Sequence, residues 1–187
     1  MNIGTIRNLS RERFEVVVAS AQRPNDSFAE QFVKAADEYV VLDGKLRSAS
    51  EQLQALELDV LFFTDVEMDP MTFSLAFTRS ALIQCVTWGH PVTTGGRFMD
   101  YFISSELLEV SDAQDHYTEK LVKLPDLAVF YTPPKLTRPL PNRKDFGFTA
   151  DQNLYGCLQT LFKFHPEFDE IIAGILQQDR KGHLLLI

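Results

Sequence analysis

The stretch DVLFFTDVEMDPMTFSLAFTRSALIQCVT at residues 59–87 predicts the fold of this chain. Its two ends, residues 59–63 and 82–87, are short apolar runs of the kind that form buried strands. Between them, Asp69 and Pro70 predict the start of a helix, because a capping carboxylate precedes a proline in the first turn. A strand, a helix and a second strand in this order predict parallel sheet covered by helices on both faces.

The same alternation continues on both sides of this stretch. Further strands are predicted at residues 14–20, 39–42, 99–104, 153–158 and 183–187, and further helices at residues 26–37 (capped by Asp26 or Ser27), 48–56 and 166–178. Residues 133–141, PPKLTRPLP, hold four of the nine prolines and predict an extended linker, because consecutive prolines cannot continue a helix or a central strand. We therefore expect an α/β domain at 1–132, a linker at 133–147 and the beginning of a second α/β domain at 148–187.

Composition narrows the class of protein. The chain has 187 residues, 45% of them hydrophobic, and a net charge of −8, which argues against a general nucleic-acid binder. No apolar run approaches the roughly 20 residues of a membrane span, and the first residues lack a signal core. We expect a cytoplasmic protein with no membrane or nucleic-acid partner, in which Cys85 and Cys157 are free thiols rather than a disulfide.

A ligand site is predicted after Phe63 and after Thr87, because open parallel sheets bind ligands at the carboxyl ends of their strands. The second of these loops, WGHPVTTGG at residues 88–96, has glycines that allow a ligand close to the backbone, and threonines that offer hydroxyl and N–H donors. An ordinary turn is the alternative interpretation of this composition. In the same region His90 could act as a general base near neutral pH, or be structural, and Asp65 could face a substrate or form a turn.

Three long segments carry a resemblance to a known family. They are residues 58–109, with WGHP at 88–91 and MDY at 99–101, residues 112–134, with HYTEKL at 116–121, and residues 158–179. Together they are similar to the catalytic region of the O-GlcNAc transferase/SPINDLY family of glycosyltransferases, whose bacterial members usually carry TPR repeats. The resemblance covers essentially the whole chain.

The resemblance implies a GT-B architecture, in which two Rossmann-like domains face each other across a cleft. This chain would supply the N-terminal catalytic half and the opening strand–helix–strand of the second domain. The family moves a sugar from UDP-GlcNAc or GDP-fucose to Ser or Thr of proteins, with inversion and without a metal or other cofactor. We therefore expect a partial catalytic region that uses a nucleotide-sugar, most plausibly UDP-GlcNAc, and an acceptor protein.

The resemblance also assigns residues to a nucleotide-sugar site. Lys163 matches the family lysine on the donor diphosphate, although a solvated lysine is the alternative. The other assigned positions are Gln159 and Thr160 near the nucleotide, Gly89 and Pro91 near the sugar, and Thr93, Thr94 and Gly95 completing the loop. Animal members carry Tyr at the position of His90, so the catalytic base is left unassigned, with His90 and Asp65 as candidates.

The segment 112–134 is expected to be structural. Its residues His116, Tyr117 and Glu119 are interpreted as capping and packing groups. Asp69 is expected to cap its helix, and Glu67 stands where relatives usually have Gly.

The resemblance further implies that parts of the catalytic unit lie outside this chain. Residues 4–9 match the helix that follows the family's first strand and its histidine, and the second domain breaks off near residue 187. We expect the chain alone to be inactive or nearly so, with exposed strand edges that could drive self-association. The alternatives are a noncatalytic binding or interaction module built on the half-fold, and a different GT-B or epimerase-like nucleotide-sugar enzyme.

Overall fold

The computed structural model describes residues 2–66, 68–89, 92–131, 133 and 139–186. It divides the chain into two compact units, Met1–Pro133 and Pro134–Ile187. Glu67, His90 and Pro91, which figure in the sequence-based predictions, lie outside the described residues, as does most of the predicted linker core at 134–138.

Strands and helices alternate through the first unit, as predicted for an α/β fold. Its elements are α1 (Ile3–Asn8), β1 (Val17–Ser20), α2 (Ala29–Ala35), β2 (Glu38–Val41), α3 (Leu46–Ala55), β3 (Val60–Phe63), α4 (Pro70–Ala76), β4 (Ile83–Thr87), β5 (Tyr101–Ser105), a 3-10 turn (Ala113–His116) and β6 (Lys120–Leu124). Ahead of α2, Asp26 Oδ1 accepts hydrogen bonds from the Phe28 and Ala29 backbone N–H groups at 2.9 and 2.7 Å. Asp26 thus holds the turn that leads into α2, whose own N-cap residue is Phe28 rather than the predicted Asp26 or Ser27.

The described strands of the first unit form two sheets, and both are parallel, as predicted. Strands β3, β4, β5 and β6 pair in that order, and β1 pairs with β2 in a separate sheet. A single buried cluster lies against both sheets: it joins Leu42, just after β2, to Leu53 of α3, Phe63 of β3 and Phe102 of β5. The two sheets therefore share one hydrophobic core.

Several details differ from the sequence-based predictions, among them the start of β5 at Tyr101 rather than at residue 99. The predicted strand at 14–20 begins only at Val17, because Phe14 closes a turn through its N–H to the Ser10 carbonyl at 3.0 Å. Strand β3 is covered on one face only: Phe63 is buried, but Val60 and Phe62 are 53% and 40% exposed.

Strand β6 was not predicted at all. Its sequence KLVKL places Lys120 and Lys123 among apolar residues, a pattern typical of edge strands, in which lysines oppose aggregation. The same lysines interrupt the apolar run by which a strand is recognised in a sequence. Both cysteines are free, with Cys85 buried and Cys157 half-buried.

The second unit is small and open. It contains β7 (Asn153–Cys157), α5 (Phe168–Gln178) and β8 (Gly182–Leu186), with β7 and β8 parallel, and 3-10 turns at Arg143–Phe146 and Leu161–Lys163. None of its described residues, 139–186, is buried, and Leu158, Leu161 and Phe162 are 73%, 60% and 84% exposed. In the described part of the chain no helix is long and apolar enough to cross a membrane.

Candidate functional site

The carboxyl ends of β3 and β4 meet at a backbone contact. Phe63 and Val86 are register partners, so Thr64 and the residues after Thr87 leave the sheet side by side. A Cβ atom added to Gly89 would lie 2.1 Å from the Thr64 carbonyl oxygen and 3.8 Å from the Asp65 Cα atom. Only glycine fits here, and the contact brings Gly89 and Asp65 to the same edge of the sheet.

Asp65 is a titratable group at this edge. It is half-buried, and burial, followed by the negative charge of nearby Asp69, raises the pKa of its carboxyl group above the ordinary range. A carboxyl group that is a stronger base than usual, at the carboxyl edge of a parallel sheet, is suited to accept a proton from a reacting hydroxyl.

Asp69 has a structural role, as predicted. Its Oδ1 atom accepts hydrogen bonds from the backbone N–H groups of Met71 and Thr72 at 2.9 and 3.0 Å, and Pro70 occupies the first turn of α4. The helix start fixes the path of the loop that carries Asp65.

Trp88 lies between β4 and Gly89 and packs against the hydrophobic core. Its indole Nε1 is buried without a hydrogen-bond partner among the described residues. The ring anchors the carboxyl end of β4 next to Gly89 by packing.

The Thr93–Thr94 turn lies at the opposite edge of the sheet. Thr93 Oγ1 donates to Glu119 Oε2 at 2.7 Å, and the Thr94 N–H donates to Glu119 Oε1 at 2.9 Å. Glu119 immediately precedes Lys120, the first residue of β6, which pairs with Tyr101, the first residue of β5. The turn is therefore at the amino edge, and the structure does not bring Thr93, Thr94 and Gly95 together with Gly89.

The polar groups of this turn are engaged inside the protein. Thr93 Oγ1 accepts from the N–H groups of Thr118 and Gly95 at 3.1 and 3.2 Å, and Thr94 Oγ1 donates to Glu119 and accepts from the Gly96 N–H at 3.2 Å. Gly95 has a φ of +64°, a left-handed conformation that favours glycine. The hydroxyl and N–H donors that the sequence suggested for a ligand thus hold the turn itself.

Glu119 has the structural role predicted for it, but its partner was not predicted. It is 1% exposed, as expected of a packing group, and it accepts hydrogen bonds from a turn 25 residues earlier in the chain. Burial raises the pKa of its carboxyl group, but the hydrogen bonds from Thr94 and Thr93 outweigh burial and hold that pKa below the ordinary range. The sequence contains both partners, the Thr93–Thr94 pair and Glu119 in the TEK segment at 118–120, but neither pattern indicates the other as its partner.

Tyr117 has the packing role predicted for its segment, whereas His116 does not pack. The Tyr117 hydroxyl donates to Glu109 Oε1 at 2.8 Å. The centres of the Tyr117 and Phe102 rings lie 4.5 Å apart. Burial first, and Glu109 second, raise the pKa of Tyr117 to about 12. His116 is exposed at the end of its 3-10 turn.

The predicted nucleotide-contacting residues belong to the second unit and are exposed there. Lys163 ends the 3-10 turn Leu161–Lys163, with its Nζ atom 6.0 Å from the centre of the Phe162 ring. Gln159 Oε1 accepts from the Thr160 N–H at 3.1 Å. The contacts of Lys163, Gln159 and Thr160 to a nucleotide stay a prediction, as do the sugar contact of Pro91 and the role of His90 as a base.

Comparisons with known proteins bear out the resemblance. No family model matches the chain. Over 102 residues it is 35% identical to the "probable UDP-N-acetylglucosamine–peptide N-acetylglucosaminyltransferase SPINDLY" of Arabidopsis thaliana, a match that covers 52% of this chain and 10% of that protein. Over 118 residues it is 28% identical to the UDP-glucose:protein N-β-glucosyltransferase of Actinobacillus pleuropneumoniae, covering 62% of this chain and 18% of that protein.

A solved structure confirms the fold. The chain is similar over its whole length to a mutant O-GlcNAc transferase of Thermobaculum terrenum, with a TM-score of 0.82 and 22% identity, and it covers 36% of that chain. The predicted α/β fold, a Rossmann-like parallel sheet followed by the opening of a second such domain, is confirmed. The chain is thus similar to glycosyltransferases, and it spans only 10 to 18% of the length of these curated relatives.

Proposed function

We propose that this chain is a partial catalytic region of an inverting protein O-glycosyltransferase that moves GlcNAc from UDP-GlcNAc to Ser or Thr of an acceptor protein. The observation that carries the proposal is the contact of Gly89 with Thr64 beside Asp65, at the carboxyl edge of a parallel sheet. Ligands of open α/β sheets bind at this edge. The similarity to protein glycosyltransferases supplies the reaction class.

The proposed reaction joins the acceptor hydroxyl oxygen to the anomeric carbon while the bond from that carbon to UDP breaks. The hydroxyl proton must pass to a base, and the electron pair of the broken bond leaves with UDP. Asp65 is the described candidate for the base, because burial raises the pKa of its carboxyl group, and His90 is the other candidate. Gly89 and Pro91 are proposed to contact the donor sugar, as the family resemblance implies.

The leaving diphosphate is proposed to be stabilised by Lys163, with Gln159 and Thr160 on the nucleotide and without a metal ion. A metal-free reaction predicts that a chelator such as EDTA leaves donor binding unchanged. Thr93, Thr94 and Gly95 are proposed to hold the loop rather than to contact the donor, because their donors are bonded inside the protein.

The chain alone is proposed to bind donor weakly and to transfer no sugar. No described residue of the second unit is buried, so the part that carries Lys163 has little to fix its conformation. Measurable transfer of GlcNAc to a peptide by the purified chain would contradict this part of the proposal.

Titration calorimetry with UDP-GlcNAc, UDP-glucose and GDP tests the donor. We expect UDP-GlcNAc to bind, and Lys163→Ala to weaken it about tenfold through loss of a charged contact. Lys144→Ala, also exposed in the second unit, is the matched control and should bind like wild type. Equal affinity of Lys163→Ala and wild type would remove Lys163 from the site.

A second candidate is transfer of glucose from UDP-glucose, favoured by the match to the A. pleuropneumoniae enzyme over 62% of this chain. Tighter binding of UDP-glucose than of UDP-GlcNAc in the same titration would select it. Absence of binding to all three nucleotides would instead favour the noncatalytic interaction module.

The location and the partners complete the proposal. Both cysteines are free thiols, which suits a reducing compartment, and a cytoplasmic location is proposed. Self-association is proposed through exposed strand edges, since β1, β2, β3 and β6 each have one hydrogen-bonded neighbour among the described residues. Sedimentation velocity over a range of concentrations tests it: we expect a concentration-dependent dimer, and a monomer throughout would contradict it.

A further inference from the structure

Glu119 is a buried carboxylate whose lost hydration is replaced by hydrogen bonds from hydroxyl and amide donors. Besides the bonds from Thr93 Oγ1 and the Thr94 N–H, it accepts from Thr94 Oγ1 and, at 3.3 Å, from Thr118 Oγ1. Taking a carboxylate out of water is costly unless hydrogen bonds replace the lost hydration. The bonds that hold Glu119 in the core therefore also hold the Thr93–Thr94 turn against the start of β6.

The segment from Trp88 to Gly96 is fixed at two points that lie at opposite edges of the sheet. Gly89 is in contact with the Thr64 carbonyl at the carboxyl edge, and Thr93 is bonded to Glu119 at the amino edge. The described residues of this segment belong to no helix or strand, so no backbone ladder holds them. Four residues reach only about 14 Å when fully extended, so the position of one fixed point limits that of the other.

We infer that Glu119 is a positioning residue for the candidate sugar site: by holding the Thr93–Thr94 turn it sets where Gly89 lies against Thr64 and Asp65. The inference rests on the proposed function only for the identity of the ligand that Gly89 meets. Glu119 acts from the far edge of the sheet and does not touch that ligand.

The hydrogen-bond pattern explains why an amide should not replace the carboxylate. The N–H groups of Gly95 and Thr118 donate to Thr93 Oγ1, so the Thr93 hydroxyl donates its own proton, to Glu119 Oε2 at 2.7 Å or to Thr118 Oγ1 at 2.9 Å. The Thr94 N–H needs an acceptor at the other carboxylate oxygen. If glutamine replaced Glu119, its NH₂ group would lie opposite either the Thr93 hydroxyl or the Thr94 N–H, and both of these groups are donors. An aspartate would keep two acceptor oxygens on a shorter side chain.

The test is an NMR comparison of the full 187-residue chain with its Glu119→Gln, Glu119→Asp and Thr93→Val variants, each with and without UDP-GlcNAc. Three readouts are followed: the Gly89 amide resonance, hydrogen exchange at the Thr94 amide, and the affinity for UDP-GlcNAc. Glu109→Gln is the matched control, because Glu109 is also a partly buried carboxylate with two hydroxyl donors, Tyr117 and Ser104, but it does not touch the segment.

We expect Glu119→Gln to shift the Gly89 resonance, to raise Thr94 exchange at least about tenfold more than exchange at the Phe102 amide, and to weaken UDP-GlcNAc binding about tenfold. Glu119→Asp should recover part of each change, and Glu109→Gln should leave the Gly89 resonance in place. If Glu119→Gln does not fold, Thr93→Val, which removes one donor and keeps the shape of the side chain, decides by the same readouts.

The inference is overturned if the variants loosen Thr94 while the Gly89 resonance and the affinity stay as in wild type. If instead wild type does not bind UDP-GlcNAc but the variants still move Gly89, the positioning contact stands and the proposed function fails.

Discussion

Gly89 packs against the Thr64 carbonyl so closely that any side chain would collide with backbone. Gly89→Ala is therefore expected to lower the free energy of unfolding by about 1–3 kcal/mol or more, because the obstacle is a backbone oxygen that cannot turn aside. Gly44→Ala is the control, since nothing lies within 4 Å of a Cβ atom there. Urea denaturation of both variants measures the difference, and equal stability would show that the two strand-end loops are not in contact.

The Asp65 carboxyl group is expected to lower the stability of the folded protein in a pH-dependent way. Because the pKa of its carboxyl group is raised in the folded state, the unfolded chain loses the proton first as pH rises, and stability falls until the folded pKa is passed. Asp65→Asn should therefore be more stable than wild type at pH 7 and equal to it well below the ordinary pKa range of aspartate. Thermal unfolding across this pH range measures the gap, with the exposed Asp126→Asn as control; a gap that persists at low pH would mean that charge is not its cause.

At the scale of elements, helix α4 depends on its cap. Asp69→Ala removes the acceptor for the Met71 and Thr72 N–H groups and is expected to cost about 1 kcal/mol of unfolding free energy. Asp69→Asn keeps an oxygen acceptor and should retain most of that stability. Urea denaturation distinguishes the two, and equal losses would indicate that the charge of Asp69, rather than the cap, is what matters.

Sequence patterns were sufficient to predict the helices and strands whose apolar residues stand together in the chain. The apolar runs of β3 and β4, and the cap and proline of α4, predicted those elements to within a residue or two, and the rule for parallel sheets predicted that Asp65 and Gly89 share an edge. Strand β6 was missed because two of its five residues are lysines. The position of the Thr93–Thr94 turn could not be read from its own sequence, because its partner Glu119 is distant in the chain and acts only once β4, β5 and β6 are in register.

At the scale of the whole molecule, the two units should differ in local stability. Strand β5 has a neighbour on each side and contains the buried residues Phe102, Ser104 and Ser105, whereas β7 has one neighbour and none of its residues is buried. Amides of β7 should therefore exchange with solvent at least about a hundredfold faster than those of β5. Hydrogen exchange followed by mass spectrometry measures both strands in one sample, and equal protection would mean that the units unfold together.

The exposed side chains of Leu158, Leu161 and Phe162 also affect the solubility of the protein. At pH 7 a net charge of −8 keeps molecules apart, and this repulsion disappears as the pH approaches the isoelectric point near 5.0. With repulsion gone, this apolar surface is free to adhere to its copies on neighbouring molecules. Solubility should therefore fall steeply between neutral pH and pH 5, and one of the apolar surfaces responsible is the same short segment that carries the predicted nucleotide contacts.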